Sequence, residues 1–423
     1  MRQGISVHEA LECILASSSV LEGETVPLSD ALGRCLAEDL VAGRRLPPLD
    51  CSAMDGYAVR RDDLSGVTQE APVELSVAFE VAAGFVATTS IAPGQAARIF
   101  TGAAVPSGSQ AVVRQEDTES KGDCVRIHVC PEPRENIRSA GEDIDVGQTA
   151  LGAGCLIGPS EVGVLASLGC SAVEVRRRPQ VAILSGGDEL VEIDGDVSGG
   201  KIVASNGYTL DAACRALGAE PLYLGIADDR PGSVERQFRE ALSADCIVST
   251  AGVSVGDHDH VRPVLEKLGC QLDFWGVRMK PGYPLAFGQF DSSAGPGERA
   301  PLVFGLPGNP VSATVCFEQF VRPSLLKMMG RKNLFRPVLQ ARIAETLHKK
   351  PGRLHFVRVT LSRRDGEWVA QSTGNQSSGV MTSMARADGL LVFAEEAAEL
   401  KSGEKAPVQV LDEGLFQATE PGF

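Results

Sequence analysis

Three short apolar runs in this chain each end in a polar loop that contains glycine. They are VAILSGGDEL (181–190), CIVSTAGVSVGDHD (246–259) and LVFGLPGNPVSA (302–313). Apolar runs of this length, separated by segments of helical period, predict buried parallel strands, whose carboxyl ends form ligand sites. Glycine lets backbone N–H groups approach an oxyanion, and a helix N-terminus adds partial positive charge. We therefore expect the three loops to meet at one sheet edge and to bind a phosphate or a similar anion.

The same loops carry acidic residues. Asp188 and Glu189 lie in the first loop, and Asp257 and Asp259 lie in the second. Carboxylates beside an anion site repel the anion unless a cation such as Mg²⁺ lies between them, so the pattern predicts metal-assisted phosphate chemistry. A helix is predicted to begin here, with Asp188 capping its backbone and Glu189 on the metal. Adjacent side chains diverge, so the sequence DHDH at 257–260 does not predict a dedicated zinc site.

Composition limits the classes of function. The chain has 423 residues, of which 43% are hydrophobic and 22% charged, and its formal charge is −15. That length predicts roughly two to four folded domains. The negative charge disfavours nucleic acid as a partner. The 11 cysteines include no CxxC pair, which favours the reducing cytoplasm. No apolar run reaches about eighteen residues, so we expect a soluble protein with no membrane partner.

The elements that must position these loops can be predicted from changes in the pattern of apolar and polar residues along the chain. The first block is predicted to be helical and starts with a helix whose capping box is Ser6 and Glu9. Short alternating runs then indicate an inserted β-rich domain, and alternating strand and helix patterns predict a doubly wound α/β domain. The predicted boundaries are 1–45 with 141–178 for the N-terminal helical and linker domain, 46–140 for the inserted β-rich domain, 179–330 for the α/β domain and 331–423 for a C-terminal β domain.

A series of motifs in fixed order resembles one known family. The motifs are LPPLDCSAMDGYAVR, TGAAVPSGSQAVVRQED, GEDID, SGGDEL, GVSVGD, KPG and GLPGNPVSA. They resemble the molybdopterin molybdenumtransferases, which include the bacterial MoeA proteins and the E domain of gephyrin. The resemblance extends over essentially the whole chain, and its specificity lies in the series, since a lone SGGDE would mean little.

The resemblance implies both a fold and an activity. Members of this family are elongated multidomain proteins with a central molybdopterin-binding-like α/β domain. They insert molybdenum from molybdate into adenylylated molybdopterin and release AMP with Mg²⁺. They form homodimers whose active site lies between subunits, and a molybdopterin adenylyltransferase is an expected partner enzyme.

The resemblance also implies roles for individual residues. The catalytic set would be Asp55, Asp143, Glu189, Asp228 and Lys280, with Asp55 and Asp143 contributed by the partner subunit. The metal would be held by Glu189, Asp228 and Asp257. The substrate would be bound by Ser185, Gly186, Gly187, Asn206, Gly252, Ser254, Gly308, Asn309 and Ser383.

Each of these residues also has a structural alternative. Asp55 precedes Gly56, and an Asp-Gly pair commonly forms a turn. Asp228 is followed by Asp229, and both could be surface charges after a strand. The remaining alternatives are a turn for Asp143, Lys280 and Asn309, a helix cap for Ser185 and Ser254, and a β turn for Ser383 with Arg386.

One departure from the family pattern concerns anion binding. Where KPGKP is usual this chain has KPGYP, so Tyr283 replaces a second lysine. Losing one charge-assisted hydrogen bond should weaken anion capture by about 1–3 kcal/mol. Further departures are Gly186 in SGGDE for STGDE, Ala251 in AGVS for GGVS, Ala204 for an expected aspartate, and Cys51 at the second position of the usual DNSAMDGYA.

Other functions remain open at this point. The protein could be a paralogue that uses tungstate, a non-catalytic scaffold like the gephyrin E domain, or a molybdopterin adenylyltransferase or pyrophosphatase. The adenylyltransferase needs only the central domain, so the inserted and C-terminal β segments argue against it.

Overall fold

A computed structural model describes residues 1–228, 230–250, 261–290 and 300–417. These residues form a central sheet covered by helices, an inserted sheet and a closed C-terminal sheet, joined by short two-stranded ribbons. The chain is thus a multidomain α/β plus β protein, as expected. Within these ranges no helix has both the length and the apolar character needed to cross a membrane.

The central sheet contains the three apolar runs as neighbouring parallel strands. In spatial order its strands are β1 (Arg2–Ile5), β19 (Cys270–Val277), β21 (Ala286–Phe290), β22 (Leu302–Gly305), β18 (Cys246–Ser249), β14 (Gln180–Gly186) and β17 (Glu220–Ala227). Strand β14 pairs in parallel with β17 and β18, and β18 pairs in parallel with β22, which confirms the predicted parallel core. Strand β21 is antiparallel to both neighbours. The connection from β19 to β21 is short, which suits an antiparallel pair, whereas two parallel strands require a longer crossover connection.

Helices cover both faces of the central sheet. Alternate side chains of β14 enter two separate cores, with Val181 and Ile183 in one and Ala182 and Leu184 in the other. This alternation follows from the two-residue period of a strand. The first core includes residues of α1 (Val7–Ser17), α3 (Ser205–Leu217), α6 (Pro310–Cys316) and α7 (Arg322–Met328), and the second includes residues of α4 (Pro231–Ala241) and α5 (Val261–Lys267).

The N-terminal block differs from the helical prediction for residues 1–45. Helix α1 is present with its capping box, in which the Ser6 N–H donates to Glu9 Oε2 (2.7 Å) and the Glu9 N–H donates to Ser6 Oγ (3.2 Å). Strand β1, however, joins the central sheet beside β19, and β2 (Gly23–Pro27) pairs with β13 (Ala172–Arg176). The prediction of helix is wrong there because partners distant in sequence complete the backbone hydrogen bonds of extended segments.

The inserted segment forms a six-stranded sheet. In spatial order its strands are β8 (Ala111–Arg114), β5 (Gly56–Val59), β7 (Gln95–Ile99), β6 (Val73–Val81), β10 (Cys124–Ile127) and β9 (Thr118–Lys121). Gly56 lies where β5 meets β8, and a Cβ there would overlap the carbonyl oxygen of Val113. The glycine of the SAMDGYA motif therefore permits a close approach of two strands.

The C-terminal segment forms a sheet that closes on itself. Strands β25 (Leu354–Arg364), β26 (Glu367–Ser372), β23 (Val338–Ile343), β29 (Lys405–Val410) and β27 (Gly389–Phe393) pair in this order, and β27 pairs again with β25. Strand β20 (Met279–Lys280) of the preceding domain adds to β25 in parallel. The β turn considered for Ser383 and Arg386 is instead the short helix α8 (Met381–Ala385), which ends at Arg386.

Short ribbons and one further helix complete the described fold. The ribbons pair β3 (Leu40–Val41) with β12 (Thr149–Leu151), β4 (Cys51–Ser52) with β11 (Ile137–Arg138), β15 (Leu190–Val191) with β16 (Ile202–Val203) and β24 (Leu347–His348) with β28 (Glu399–Leu400), and α2 covers Pro159–Ser167.

Candidate functional site

The carboxyl ends of β14, β18 and β22 meet at one edge of the central sheet, as predicted. The Thr250 N–H donates to Leu184 O (2.9 Å), and the Leu306 N–H donates to Ser249 O (2.7 Å). Helix α6 begins at Pro310, directly after the third loop. The second loop, with the predicted site residues Gly252, Ser254 and Asp257, lies outside the described residues.

The first loop turns sharply at Gly187. Its φ of +140° is unfavourable for residues with a side chain. A Cβ at Gly187 would also overlap the carboxylate of Glu189. Glu189 is exposed and folds back over the turn, while Gly186, the last residue of β14, is half-buried. The glycine therefore allows an acidic side chain to lie close to the backbone at the end of β14.

The helix predicted to begin at Asp188 and Glu189 is not present. After the turn the chain enters β15, which pairs with β16, and α3 begins only at Ser205. The Lys201 ammonium donates a short hydrogen bond to the carbonyl oxygen of Asp188. The prediction is wrong because pairing with β16 satisfies the backbone groups that a helix would otherwise have used.

Asn206 joins the first and third loops. Its Nδ2 donates to Gly308 O at 2.7 Å, so the start of α3 is tied to the glycine-rich segment before α6. Asn309 precedes Pro310, is exposed and makes no side-chain cap hydrogen bond. The amide of Asn206 thus orders the edge, and the amide of Asn309 is accessible from solvent.

Ser185 is buried at the end of β14, with 1% of its surface exposed. The Tyr223 hydroxyl interacts with Ser185 Oγ, although no described residue forms a hydrogen bond of full geometry with that oxygen. A Cβ at Gly207, in the first turn of α3, would lie 3.1 Å from this oxygen. Ser185 therefore lies beneath the start of α3, and its hydroxyl retains unused hydrogen-bonding capacity.

Two carboxylates follow neighbouring strands at this edge. Asp228 comes after β17, Glu189 comes after β14, and the two strands pair as far as Gly186 and Ala227. Asp228 Oδ1 is shielded from solvent and accepts no hydrogen bond from any described residue. Its Oδ2 lies 3.6 Å from Nε of the exposed Arg230. An orphaned carboxylate oxygen at this edge fits the oxygen ligands that Mg²⁺ prefers. No cluster of three or more metal-ligating side chains forms within the described ranges.

Asp55 lies between β4 and β5, at the start of the inserted sheet, and Asp143 lies between β11 and β12. The Thr101 N–H (2.7 Å) and hydroxyl (2.8 Å) both donate to Asp55 Oδ1. These two hydrogen bonds lower the pKa of Asp55, with Arg98 assisting, so its carboxylate is ionised at neutral pH. Asp143 is exposed, and its N–H donates to Leu46 O (3.0 Å).

The predicted acidic residues are therefore not all brought together within one copy. In the described part of the chain, no hydrogen bond or ion pair joins Asp55 or Asp143 to Glu189, Asp228 or Lys280.

Lys280 lies at the rim of a cavity of about 620 Å³ between the central and C-terminal domains. Strand β20 places it opposite His355 of β25. Arginine and lysine side chains supply most of the charge on the lining, which contains no Asp or Glu. The cavity therefore has a positive electrostatic potential suited to a compact oxyanion. Its cationic lining residues are Lys280, Lys349, Lys350, Arg353 and Arg358.

Arg358 is a buried cation on this cavity, with 1% of its surface exposed. Nε donates to Ser383 Oγ (3.1 Å), and Nη2 donates to the carbonyl oxygens of Ser377 (3.1 Å) and Asn375 (3.4 Å). No carboxylate forms an ion pair with Arg358 in the described ranges. Burial lowers the pKa of Arg358. A buried guanidinium without an anion is costly, and a negative ligand in this cavity would offset that cost.

Ser383, predicted to bind substrate, is itself buried beside Arg358. Its hydroxyl accepts from Arg358 and donates to Val380 O (2.7 Å). Burial, together with the charges of Lys349, Lys280 and Arg353, lowers the pKa of His355 to about 4. His355 is therefore neutral at pH 7, which reflects the positive potential of the cavity.

Sequence reasoning identified Lys280 but missed Arg353, Arg358 and His355. The segment GRLHFVRV places charged residues among apolar ones in a strand. Residues Phe356–Val359 of β25 are all buried. Val357 and Val359 enter the core of the closed sheet, and Arg358 lies on the opposite face, so no alternation in the sequence marked it as a buried charge.

Models of known protein families match three segments of the chain in order. The MoeA N-terminal region (domain I and II) matches residues 5–169, a probable molybdopterin binding domain matches residues 182–327, and the MoeA C-terminal region (domain IV) matches residues 340–411. Together they account for most of the chain.

Individual relatives agree with these matches. A molybdopterin molybdenumtransferase of Nostoc sp. is 38% identical over 384 residues, which are 90% of this chain and 87% of that protein. Molybdopterin molybdenumtransferase 2 of Mycobacterium tuberculosis is 36% identical over 409 residues, which are 95% of this chain and 98% of that protein. The crystal structure of a molybdopterin biosynthesis MoeA protein from Pyrococcus horikoshii matches with a TM-score of 0.80 at 30% identity, covering 96% of this chain and 100% of that chain. These similarities extend over nearly the whole chain.

Proposed function

The chain belongs to the MoeA family of molybdopterin molybdenumtransferases, a transferase family of molybdenum cofactor biosynthesis, and we propose how its regions divide the two substrates. Molybdate binds in the basic cavity beside Lys280. Adenylylated molybdopterin lies along the carboxyl edge of the central sheet, where its pyrophosphate meets the backbone of the first and third loops. Molybdenum is then transferred to the pterin dithiolene, and AMP is released.

The observation that carries the molybdate assignment is the unpaired buried charge of Arg358. Its Nε and Nη2 are occupied by neutral partners, and no described carboxylate neutralises it. A bound oxyanion would compensate the charge and accept donors from Lys280 and Arg353, which line the same cavity. Charge-assisted hydrogen bonds are stronger in a shielded site than in water. These features of the cavity support the binding of an oxyanion there.

Magnesium would be held at the carboxyl edge by Glu189 and Asp228. The orphaned Oδ1 of Asp228 and the exposed carboxylate of Glu189 fit a hard cation. Asp257, predicted as a further ligand, lies outside the described residues. When bound, the ion neutralises phosphate charge and polarises phosphoryl oxygens. The chain's own contribution is to hold the nucleotide by the Gly186–Gly187 turn and to keep the third loop in place through Asn206.

We propose a homodimer in which a second copy contributes Asp55 and Asp143. Neither residue bonds to Glu189, Asp228 or Lys280 within one described chain, so one copy alone leaves the predicted acidic set divided. Thr101 keeps Asp55 ionised without using its Oδ2. All eleven cysteines are free, which supports a location in the reducing cytoplasm.

The experiment that tests the activity uses purified protein with adenylylated molybdopterin and Mg²⁺, with and without molybdate. AMP release and reconstitution of a molybdenum-free apoenzyme are followed together. Molybdate-dependent release with reconstitution is expected. AMP release that does not need molybdate, and that does not lead to reconstitution of the apoenzyme, would instead favour a pyrophosphatase.

Mixing two inactive variants tests the shared site. Unfolded and refolded mixtures of Asp55→Asn and Glu189→Gln should recover about a quarter of wild-type activity, because each mixed dimer of two-fold symmetry contains one intact site. The matched control is a mixture of Glu189→Gln with Asp228→Asn, which should recover nothing because both changes affect the same side. Equal recovery in the two mixtures would contradict a site between subunits.

A further inference from the structure

Tyr283 lies just behind the basic cavity, in the segment between β20 and β21. Its ring meets the edge of Trp275, with centroids 5.7 Å apart and an interplanar angle of 84°. The Arg353 guanidinium carbon lies 4.5 Å from the centroid of the same ring. Tyr283 therefore connects a fixed aromatic residue of the central sheet with a cation that lines the cavity.

The chain leaves space for this ring on two further sides. A Cβ at Gly276 would lie 3.3 Å from Tyr283 Cζ, and a Cβ at Gly4 would lie 3.6 Å from its hydroxyl oxygen. The Tyr283 carbonyl oxygen also accepts hydrogen bonds from the N–H groups of Val277 (2.9 Å) and Leu285 (2.8 Å). The backbone and the ring are thus both held in place.

Arg353, in contrast, is exposed. It follows Gly352, whose φ of +98° is in the region that favours glycine. No ion pair to its guanidinium is formed by a described carboxylate, and the ring contact is its principal restraint. An arginine side chain carries about 2 kcal/mol of rotamer entropy, so an unrestrained Arg353 would be a poor ligand. A cation–π contact of this kind does not consume the guanidinium N–H donors in hydrogen bonds, so they stay available for an anion.

We propose that Tyr283 is a positioning residue that holds Arg353 for oxyanion binding in the basic cavity. The proposal rests on the proposed function, in which that oxyanion is molybdate. Tyr283 does not touch the anion. It acts through Arg353, which supplies the charge that the sequence alone would assign to a lysine at position 283. A lysine there would remove the ring and add a cation at the same time, so Tyr283→Leu, which removes only the ring, is the substitution that isolates the positioning role.

The test measures molybdate binding by equilibrium dialysis in a double-mutant cycle of Tyr283→Leu and Arg353→Gln. Tyr283→Leu should weaken binding about two- to fivefold, the range expected of an exposed cation–π contact. In the Arg353→Gln background the same change should have no further effect. Tyr283→Phe, which keeps the ring, should bind as the wild type does and serves as the matched control for folding.

A second readout needs no ligand. The Arg353 Nε–H resonance should be shifted upfield by the ring in the wild type and in Tyr283→Phe, and that shift should be lost in Tyr283→Leu. The positioning role would be overturned if Tyr283→Leu bound molybdate as tightly as the wild type. It would also be overturned if Tyr283→Leu weakened binding by the same factor in the Arg353→Gln background as in the wild type. Wild-type protein that binds no molybdate, while the Nε–H shift is present, would instead refute the molybdate site of the proposed function and with it the purpose of the stacking.

Discussion

Replacing Arg358 by methionine should separate stability from ligand binding. The wild-type guanidinium makes three hydrogen bonds to neutral groups, at 3.1, 3.1 and 3.4 Å. Because the donor is charged, their loss costs about 1.5 kcal/mol each. Against this, removing an uncompensated buried charge gains back several kcal/mol. The free energy of unfolding without an anion should therefore change by less than about 2 kcal/mol in Arg358→Met.

Binding should respond in a different way. Loss of a charge-assisted hydrogen bond of about 1.5–3 kcal/mol weakens molybdate affinity by about 10- to 150-fold. Arg358→Lys keeps the charge but not the planar set of donors, so its affinity should lie between those of the methionine variant and the wild type. The pair of substitutions thus distinguishes charge from geometry.

The assay combines equilibrium dialysis of molybdate with chemical unfolding in the absence of oxyanions. Arg363→Met is the matched control, because Arg363 is an exposed residue of the same strand and lies outside the cavity. It should leave molybdate affinity unchanged. If Arg358→Met bound molybdate with wild-type affinity, or if Arg363→Met lost as much molybdate affinity as Arg358→Met, the buried charge of Arg358 would not contribute to anion binding.

Three further predictions concern the sheet edge and the cavity. Asn206→Ala should lower the free energy of unfolding by about 0.5–1.5 kcal/mol, because it loses its hydrogen bond to Gly308. Denaturant titration measures this change. The control Asn309→Ala, which breaks no cap hydrogen bond, should change the free energy of unfolding by less than about 0.5 kcal/mol. Gly187→Ala should cost about 1–3 kcal/mol of stability and reduce AMP release, since its Cβ displaces Glu189; Gly163→Ala, in open space, should leave release intact. His355 should titrate near pH 4 in the free protein rather than near 6.5, and molybdate should raise that pKa in an NMR titration. Because the unfolded chain binds more protons between these values, His355 should make stability fall as pH drops from 6.5 towards 4, and His355→Gln should flatten that slope.

The three apolar runs could be placed from sequence because their pattern is local. Strands β14, β18 and β22 each contain a run of consecutive apolar residues, and the loop after each run contains glycine. The capping box of Ser6 and Glu9 is likewise a short-range pattern, and α1 begins where it predicts. Local periodicity and local hydrogen bonding determine such elements without reference to the rest of the fold.

Other elements depended on partners far along the chain. Strand β1 is extended because β19 provides its hydrogen-bond partners some 270 residues later, as Arg2 pairs with Phe274. The residues after Gly187 form β15 rather than a helix because β16 is available to pair with them. Propensity alone cannot indicate such pairings, since strand stability depends on cross-strand neighbours.

The sequence by itself determined the family motifs, the parallel strands and the set of residues able to bind phosphate at their ends. The tertiary structure alone decided that Lys280, Arg353 and Arg358 share a cavity, because β20 pairs with β25 across more than seventy residues. It also decided that Tyr283 stacks on Arg353. Buried charge and stacking are properties of surfaces brought together by folding, and a linear pattern does not contain the distances that define them.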